Sequence, residues 1–230
     1  MTTIAARLQA VRSRIDAAAG TVGRAPQDIR LIAVSKSFAP GSIAEAYGAG
    51  QAVFGESYLQ EAQTKIAVLP PQLEWHFIGP IQSNKTRQIA ELFDWAHAVD
   101  RLKIAERLSS SRPAGLPPLQ VCLQVNVSGE DSKSGVRVEE ALALAKAVSA
   151  LRGIRLRGLM AIPEPTPDIR TQKSRFRQVR ELKDEIVRSG IALDTLSMGM
   201  SDDLEAAVAE GATMVRVGRA IFGQRLPHSG

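Results

Sequence analysis

The sequence predicts an α/β fold, a single (β/α)8 TIM barrel, on three observations. Short apolar runs alternate with longer helical patterns along the 230 residues. Eight such runs can be placed, and about 250 residues is typical of an eight-unit barrel. No long linker, repeat or low-complexity tract divides the chain, so one domain spanning residues 1–230 is expected.

The expected strands are Leu31–Val34, Ala52–Phe54, Glu74–Ile78, Trp95–Val99, Leu119–Val125, Leu156–Met160, Thr195–Ser197 and Met214–Val217. Before the first, Ile4, Leu8, Val11 and Ile15 recur at helical spacing, which predicts an extra N-terminal helix packed on the barrel. Val138, Leu142, Ala145 and Val148 share one face of a later helix, and Phe176, Val179, Leu182 and Ile186 share one face of another. Gly190 and Gly211 stand shortly before strands, where helix C-termini are expected. The Pro-rich stretches Arg112–Pro118 and Ile162–Pro167 read as loops. An open doubly wound sheet is the competing architecture. Its first turn would normally carry G-x-G-x-x-G, whereas the first turn here is Ser35-Lys36-Ser37-Phe38-Ala39-Pro40.

Composition narrows the function. At 44% hydrophobic but only 4% aromatic, the core must be aliphatic. The net charge of +5 is spread among acids, and the densest basic run, Lys173 to Lys183, lies along an expected helix and contains Glu181. That pattern reads as a solvated helix face, and no nucleic acid is expected as partner. Cys122 is the only cysteine, inside an apolar run, so an inert buried thiol and a reducing, cytoplasmic setting are expected. No run approaches the ~18 apolar residues that span a bilayer, and no membrane partner is expected. Residues 1–15 are free of acids, loosely like a transit peptide, but their periodicity reads as an ordinary helix. His76, His97 and His228 lack metal-ligand spacing, so no metal is expected, and His76 reads as a hydrogen-bonded core residue. The stretch from Gly79 to Thr86 imitates a P-loop, but Asn84 replaces the glycine before the lysine, so it reads as a helix N-terminus at the barrel mouth.

Barrel enzymes place their chemistry at the C-terminal strand ends. Lys36 follows the first strand and therefore belongs to that mouth. Ser201 follows the seventh strand and reads as a helix N-cap, and Gly218 follows the eighth. Loops in these two places often bind phosphate. Asp202 and Asp203 would repel a phosphate and must then point away. Arg216, mid-strand between Val215 and Val217, is costly to bury against helices and is assigned to the mouth. A desolvated lysine can form a Schiff base with an aldehyde. Amine, guanidinium and anion cradle together match the aldehyde, ring nitrogen and phosphate of pyridoxal 5'-phosphate (PLP).

These residues sit in stretches that resemble the pyridoxal phosphate homeostasis proteins nearly end to end: "LIAVSKSF", "VFGESYLQEA", "WHFIGPIQSNK", "SGEDSKSG", "GLMAIP" and "LSMGMSDDLEAAVAEGATMVRVGRAIFG". The resemblance implies a barrel of the alanine racemase N-terminal type. It implies that Lys36 holds PLP covalently as an aldimine, that Ser201 with amides around Met200, Gly218 and Arg219 binds the phosphate, that Arg216 faces the pyridine nitrogen, and that Met160 lies near the cofactor. Ser57 stands where the family pattern usually has Asn, which offers more hydrogen-bonding groups.

An arginine at the ring nitrogen disfavours the pyridinium form and predicts a poor electron sink. The related racemases use a tyrosine from another domain as second acid/base, and the tyrosines here, Tyr47 and Tyr58, are not well placed for it. The leading expectation is a non-catalytic, monomeric PLP carrier of vitamin B6 homeostasis, with apo PLP-dependent enzymes as recipients and no catalytic residues. The alternatives are a small PLP-dependent amino-acid racemase and a barrel for another phosphorylated metabolite.

Overall fold

The computed structural model describes residues 3–128 and 134–224. His228 and residues 129–133 of the "SGEDSKSG" stretch lie outside them. The chain opens with α1 (Ile4–Thr21), then alternates β1 (Arg30–Val34), α2 (Pro40–Gly48), β2 (Val53–Glu56), α3 (Leu59–Val68), β3 (Glu74–Phe77) and α4 (Thr86–Leu92). There follow β4 (Trp95–Val99), α5 (Leu102–Ser111), β5 (Leu119–Asn126), the two-residue β6 (Val136–Arg137), α6 (Val138–Ser149), β7 (Ile154–Met160) and α7 (Ile169–Arg188). The last elements are β8 (Thr195–Ser197), α8 (Leu204–Ala209), β9 (Met214–Val217) and α9 (Arg219–Phe222).

All eight expected strands form, every pairing is parallel, and the sheet closes: β1 pairs with both β2 and β9, and β4 pairs with β5. This is the TIM barrel expected. Several strand ends shift by one or two residues, β2 running Val53–Glu56 rather than Ala52–Phe54, and two larger details differ from the sequence reading. β7 begins at Ile154 rather than Leu156, because the ladder with β5 starts at Leu119 and carries Arg155 at the strand's polar edge. The short β6 adds to the end of β5, too brief to leave a periodic signal.

The helices follow their apolar stripes. Ile4, Leu8, Val11 and Ile15 are buried on α1, which Thr3 caps by accepting from the Ala6 N–H. The helix packs against α2, α8 and α9. Phe176, Val179, Leu182 and Ile186 are all buried on α7. On α6, Ala145 and Val148 are buried as expected, while Ala141 is buried and Val138 and Leu142 only half so. The outer face of α7 is solvated and salted: Arg177 and Arg180 both pair with the buried Glu210, at 2.9 and 2.7 Å. Gly190 and Gly211 lie one residue past their helix caps with φ of 97° and 96°, the left-handed turn that glycine adopts without penalty. Fully buried aliphatics such as Ile32, Ile89, Leu119, Leu123 and Leu159 fill the core, each worth roughly 1.5–3 kcal/mol against exposure.

Closure leaves little room between β7 and β8. A Cβ on Gly158 would stand 1.8 Å from the Thr195 carbonyl oxygen, so the two strands touch backbone to backbone. Gly158→Ala should therefore lower stability by about 2 kcal/mol or more in urea titrations. Gly41→Ala, where an added methyl meets nothing within 4 Å, should be near neutral, and equal effects would contradict this packing.

Candidate functional site

At the C-terminal end of the strands lies a cavity of about 530 Å³. Its walls bring together Lys36, Met200, Ser201, Arg216, Gly218 and Arg219, six of the seven residues expected at a cofactor site. The seventh, Met160, is fully buried in β7 opposite Ser197 and does not line the cavity.

Lys36 arrives there because β1 stops at Val34. Ser35 stays buried and the chain turns, leaving Lys36 half-buried on the wall. The next residue, Ser37, holds φ at 68°, an uncommon conformation for a residue with a side chain. What pays for that strain is a polar cluster behind the turn. The Ser37 N–H donates to Glu61 Oε2 at 2.9 Å. Lys65 donates to the Ser35 carbonyl at 2.9 Å, to Glu56 Oε1 at 2.7 Å and to Glu61 Oε2 at 3.2 Å. The Ser35 hydroxyl donates to Glu56 Oε1 at 2.6 Å. Burial pushes the Glu56 carboxyl up and the Lys65 charge pulls it back. None of Glu56, Glu61 and Lys65 was singled out from the sequence. The available signal was an acid ending a buried strand, followed by an i,i+4 acid–lysine pair on the next helix.

Arg216 enters from β9 and is 4% exposed. Its guanidinium donates to Ser197 Oγ at 2.7 Å and to the Ala161 carbonyl at 3.0 Å. Burial brings its pKa down to about 10, against the opposing charge of Asp203, so it remains a cation. Mouth rather than helix layer is thus where this side chain sits, as the cost of burying it against apolar neighbours required.

The anion side differs from expectation in two ways. Ser201 is not the N-cap of α8: it lies in a turn, and Asp203 holds the cap position. The Met200 N–H donates to Asp203 Oδ1 at 2.6 Å, because a carboxylate three residues on can reach back where a hydroxyl at 201 cannot close the same turn. Asp202 does not point away. It lines the cavity, 3.4 Å from the exposed Arg219 guanidinium that balances its charge. Gly218 has φ of −116°, and its lack of a side chain serves contact: a Cβ would come within 3.1 Å of the Val34 carbonyl oxygen. The Ser201 turn is pinned from α1, where Arg14 donates to the Ser201 carbonyl at 2.7 Å and pairs with Glu205. Nothing in the α1 periodicity marks Arg14, because its partner lies 187 residues away.

A second cavity, of about 400 Å³, adjoins across Met200 and Asp202. Its walls carry Glu164, Asp202 and Asp203 among prolines and no cationic side chain, which disfavours an anion there.

Comparison with known proteins shows the family and the fold. The family described as "Alanine racemase, N-terminal domain" matches residues 6–226. A pyridoxal phosphate homeostasis protein of Pseudomonas aeruginosa is 59% identical over 228 residues, 98% of this chain and 97% of the relative. This chain belongs to the pyridoxal phosphate homeostasis protein family. Two structures of PipY from Synechococcus elongatus, one without PLP and one with PLP bound, superpose with TM-scores of 0.86 and 0.84 at 39% and 38% identity, covering 96% of this chain and 100% of PipY. Alanine racemase of Corynebacterium glutamicum shares the fold, with a TM-score of 0.69 at 17% identity over 97% of this chain and 63% of the racemase.

In this family member the serine at position 57 does reach the cavity wall. Its backbone is held close, since a Cβ on Gly79 would meet the Ser57 carbonyl oxygen at 2.4 Å. The P-loop look-alike contributes a helix start, with α4 beginning at Thr86, and only Ile78 from just before that stretch lines the cavity. Cys122 is fully buried, and burial raises its thiol to about 12, so it is not a nucleophile. Among the described residues no group of His, Cys, Asp and Glu could hold a metal ion, and no helix is long and apolar enough to cross a membrane.

Behind Arg216, His97 and His76 are fully buried and hydrogen-bonded to each other at 2.8 Å. Burial lowers the pKa of both, His97 well below 6.5, with the charge of Arg216 adding to the effect there. The unfolded chain therefore binds protons near pH 6.5 that the folded protein refuses. Stability contributed by these neutral rings is complete above about pH 6.5 and lost as pH falls below it. Glu74 adds a second loss: burial raises its pKa, but the His76 hydrogen bond and the Arg30 charge outweigh that and hold it at about 2, so its share goes as pH falls from 4.5 toward 2. The urea midpoint should be level above about pH 7 and fall between about pH 6.5 and pH 5. A midpoint unchanged across that range would show that the rings are not held neutral.

Proposed function

We propose that this protein holds pyridoxal 5'-phosphate reversibly at Lys36 in the cytoplasm, buffers it, and delivers it to apo-enzymes, without substantial catalysis of its own. The observation that carries the reading is the convergence of the Lys36 amine, the Arg216 and Arg219 guanidinium groups and the Ser201 and Gly218 turns on a single cavity of about 530 Å³. The residues fit the group. A partly buried lysine suits reversible condensation with an aldehyde. Ser201, Gly218 and Arg219 would take the phosphate, with the exposed Arg219 exchanging its Asp202 partner for the anion. Arg216 would face the ring nitrogen. When bound, the group supplies electron-withdrawing capacity, and an arginine rather than an acid at the ring nitrogen keeps that capacity low.

Family membership supports the same reading, since relatives carry the homeostasis name and PipY has been solved with PLP bound. Racemisation needs an acid/base on each face of the substrate, and neither Tyr47 nor Tyr58 is among the residues lining the cavity. We also infer that the chain acts as one barrel domain and as a monomer.

Borohydride reduction of the PLP-loaded protein should place a pyridoxyl group on Lys36. Lys36→Ala should abolish both the adduct and the visible absorption band, and an adduct mapped to any other residue would move the site. Incubation with amino-acid enantiomers should show no turnover beyond that of free PLP. Turnover well above it would replace the carrier reading with the racemase one.

A further inference from the structure

Arg216 does not end in the cavity wall. A line of polar side chains continues from it through the barrel to the opposite end. Arg216 Nη1 lies 2.7 Å from Ser197 Oγ, Ser197 Oγ 2.8 Å from His97 Nδ1, His97 Nε2 2.8 Å from His76 Nδ1, and His76 Nε2 2.8 Å from Glu74 Oε1. Glu74 is gripped by both Arg30 Nη atoms, at 2.8 and 2.6 Å. Ser197 is the last residue of β8, at the cavity end, whereas Glu74 is the first residue of β3, at the far end. Ser197, His97 and His76 are 0% exposed, so no water shares these contacts from outside. The His76 ring is stacked on Trp95, with centroids 5.3 Å apart and planes 6° from parallel, which fixes its orientation.

The two ends dictate every proton between them. A guanidinium can only donate, and an ionised carboxylate can only accept. With Glu74 ionised, His76 must carry its proton on Nε2. His76 is neutral, so its Nδ1 accepts, and His97 must donate from Nε2. His97 is neutral too, so its Nδ1 accepts the Ser197 hydroxyl proton. That leaves the Ser197 oxygen to accept from Arg216, which closes the file with one direction and no free choice.

We propose that Ser197, His97, His76 and Glu74 are positioning residues for Arg216: a one-way hydrogen-bond file that fixes one guanidinium N–H inside the barrel and, with the Ala161 carbonyl that takes a second, sets how the group meets the cavity. The inference rests on the reading of the cavity as a PLP site for its purpose, but not for its existence. Ser197 and two neutral rings separate the Arg216 charge from the Glu74 carboxylate that ends the file, so the file orients the guanidinium without pairing it to an acid. A run of apolar side chains would leave the guanidinium held by the Ala161 carbonyl alone. A carboxylate in place of Ser197 would neutralise it.

The test begins with ligand-free, ¹⁵N-labelled protein. Ring-nitrogen spectra should show both His76 and His97 as the Nε2–H form, and the Arg216 Nη signals should be resolved, because its rotation is blocked. In His97→Phe those signals should average. Glu74→Gln lies outside the cavity, and its amide can donate or accept, so it should mix the two ring tautomers. An Nδ1–H form at either ring in the unaltered protein, or Arg216 signals that do not respond to His97→Phe, would overturn the proposal. If His97→Phe does not fold, Glu74→Gln serves for both comparisons. PLP is then added. Loss of the file should raise the PLP Kd about tenfold and move the pH midpoint of the visible band, the size expected for one hydrogen bond to a charged group. An unchanged Kd and midpoint would also overturn it. Should the unaltered protein bind no PLP at all, the carrier reading fails, while the ligand-free spectra still decide whether the file positions Arg216.

Discussion

Backbone hydrogen bonds between β1 and β9 join the first barrel strand to the last, with Ile32 opposite Arg216 and Ala33 opposite Val217. The cavity depends on this seam. It brings the turn carrying Lys36 beside the turn carrying Gly218 and Arg219, although some 180 residues separate them. The seam must also be tight at its upper end, where Gly218 sits against the Val34 carbonyl and tolerates no side chain without displacement. An open sheet made from the same strands would place these two turns at opposite edges, and neither alone could hold a ligand with an aldehyde at one corner and a phosphate at another.

Lys36 and Arg216, two of the cavity's cations, are supported by different physics. Behind Lys36 stands a compact ionic cluster in which Lys65 spends its donors on Ser35, Glu56 and Glu61 and so braces a turn with one strained residue. A buried ion pair contributes modestly to net stability, because desolvation offsets much of the attraction, yet breaking one partner away is costly. Such a cluster resists deformation more than it adds to stability. Behind Arg216 the support is a file of neutral groups, which orients the guanidinium without cancelling its charge. The carrier role proposed above would use both features: a lysine held at one place for exchange, and an arginine at the ring nitrogen that discourages chemistry.

Much of this was legible in the chain. Strand positions, the N-terminal helix and the buried stripe of α7 follow from period-2 and period-3.6 patterns that involve only neighbours in sequence. Lys36, Arg216 and Gly218 stood out because each breaks an apolar pattern at a strand end, where barrels place function. The misreadings came where two local solutions compete. Both Ser201 and Asp203 are capping residue types, and which of them serves is settled by the turn geometry at Met200. Asp202 was expected to avoid the cavity, and it stays because Arg219 compensates it.

By itself, the sequence determined the fold class, the order of elements and the types of group at the barrel mouth, since each depends on spacing within a few residues. Only the tertiary structure decided that His76 and His97 form one hydrogen-bonded file with Ser197 and Glu74, that Lys65 backs Lys36, and that Arg14 pins the Ser201 turn. Apart from His76–Glu74, two positions apart on one strand, those contacts join residues 21 to 187 positions apart. A hydrogen bond is set by distances of about 3 Å that no local pattern encodes.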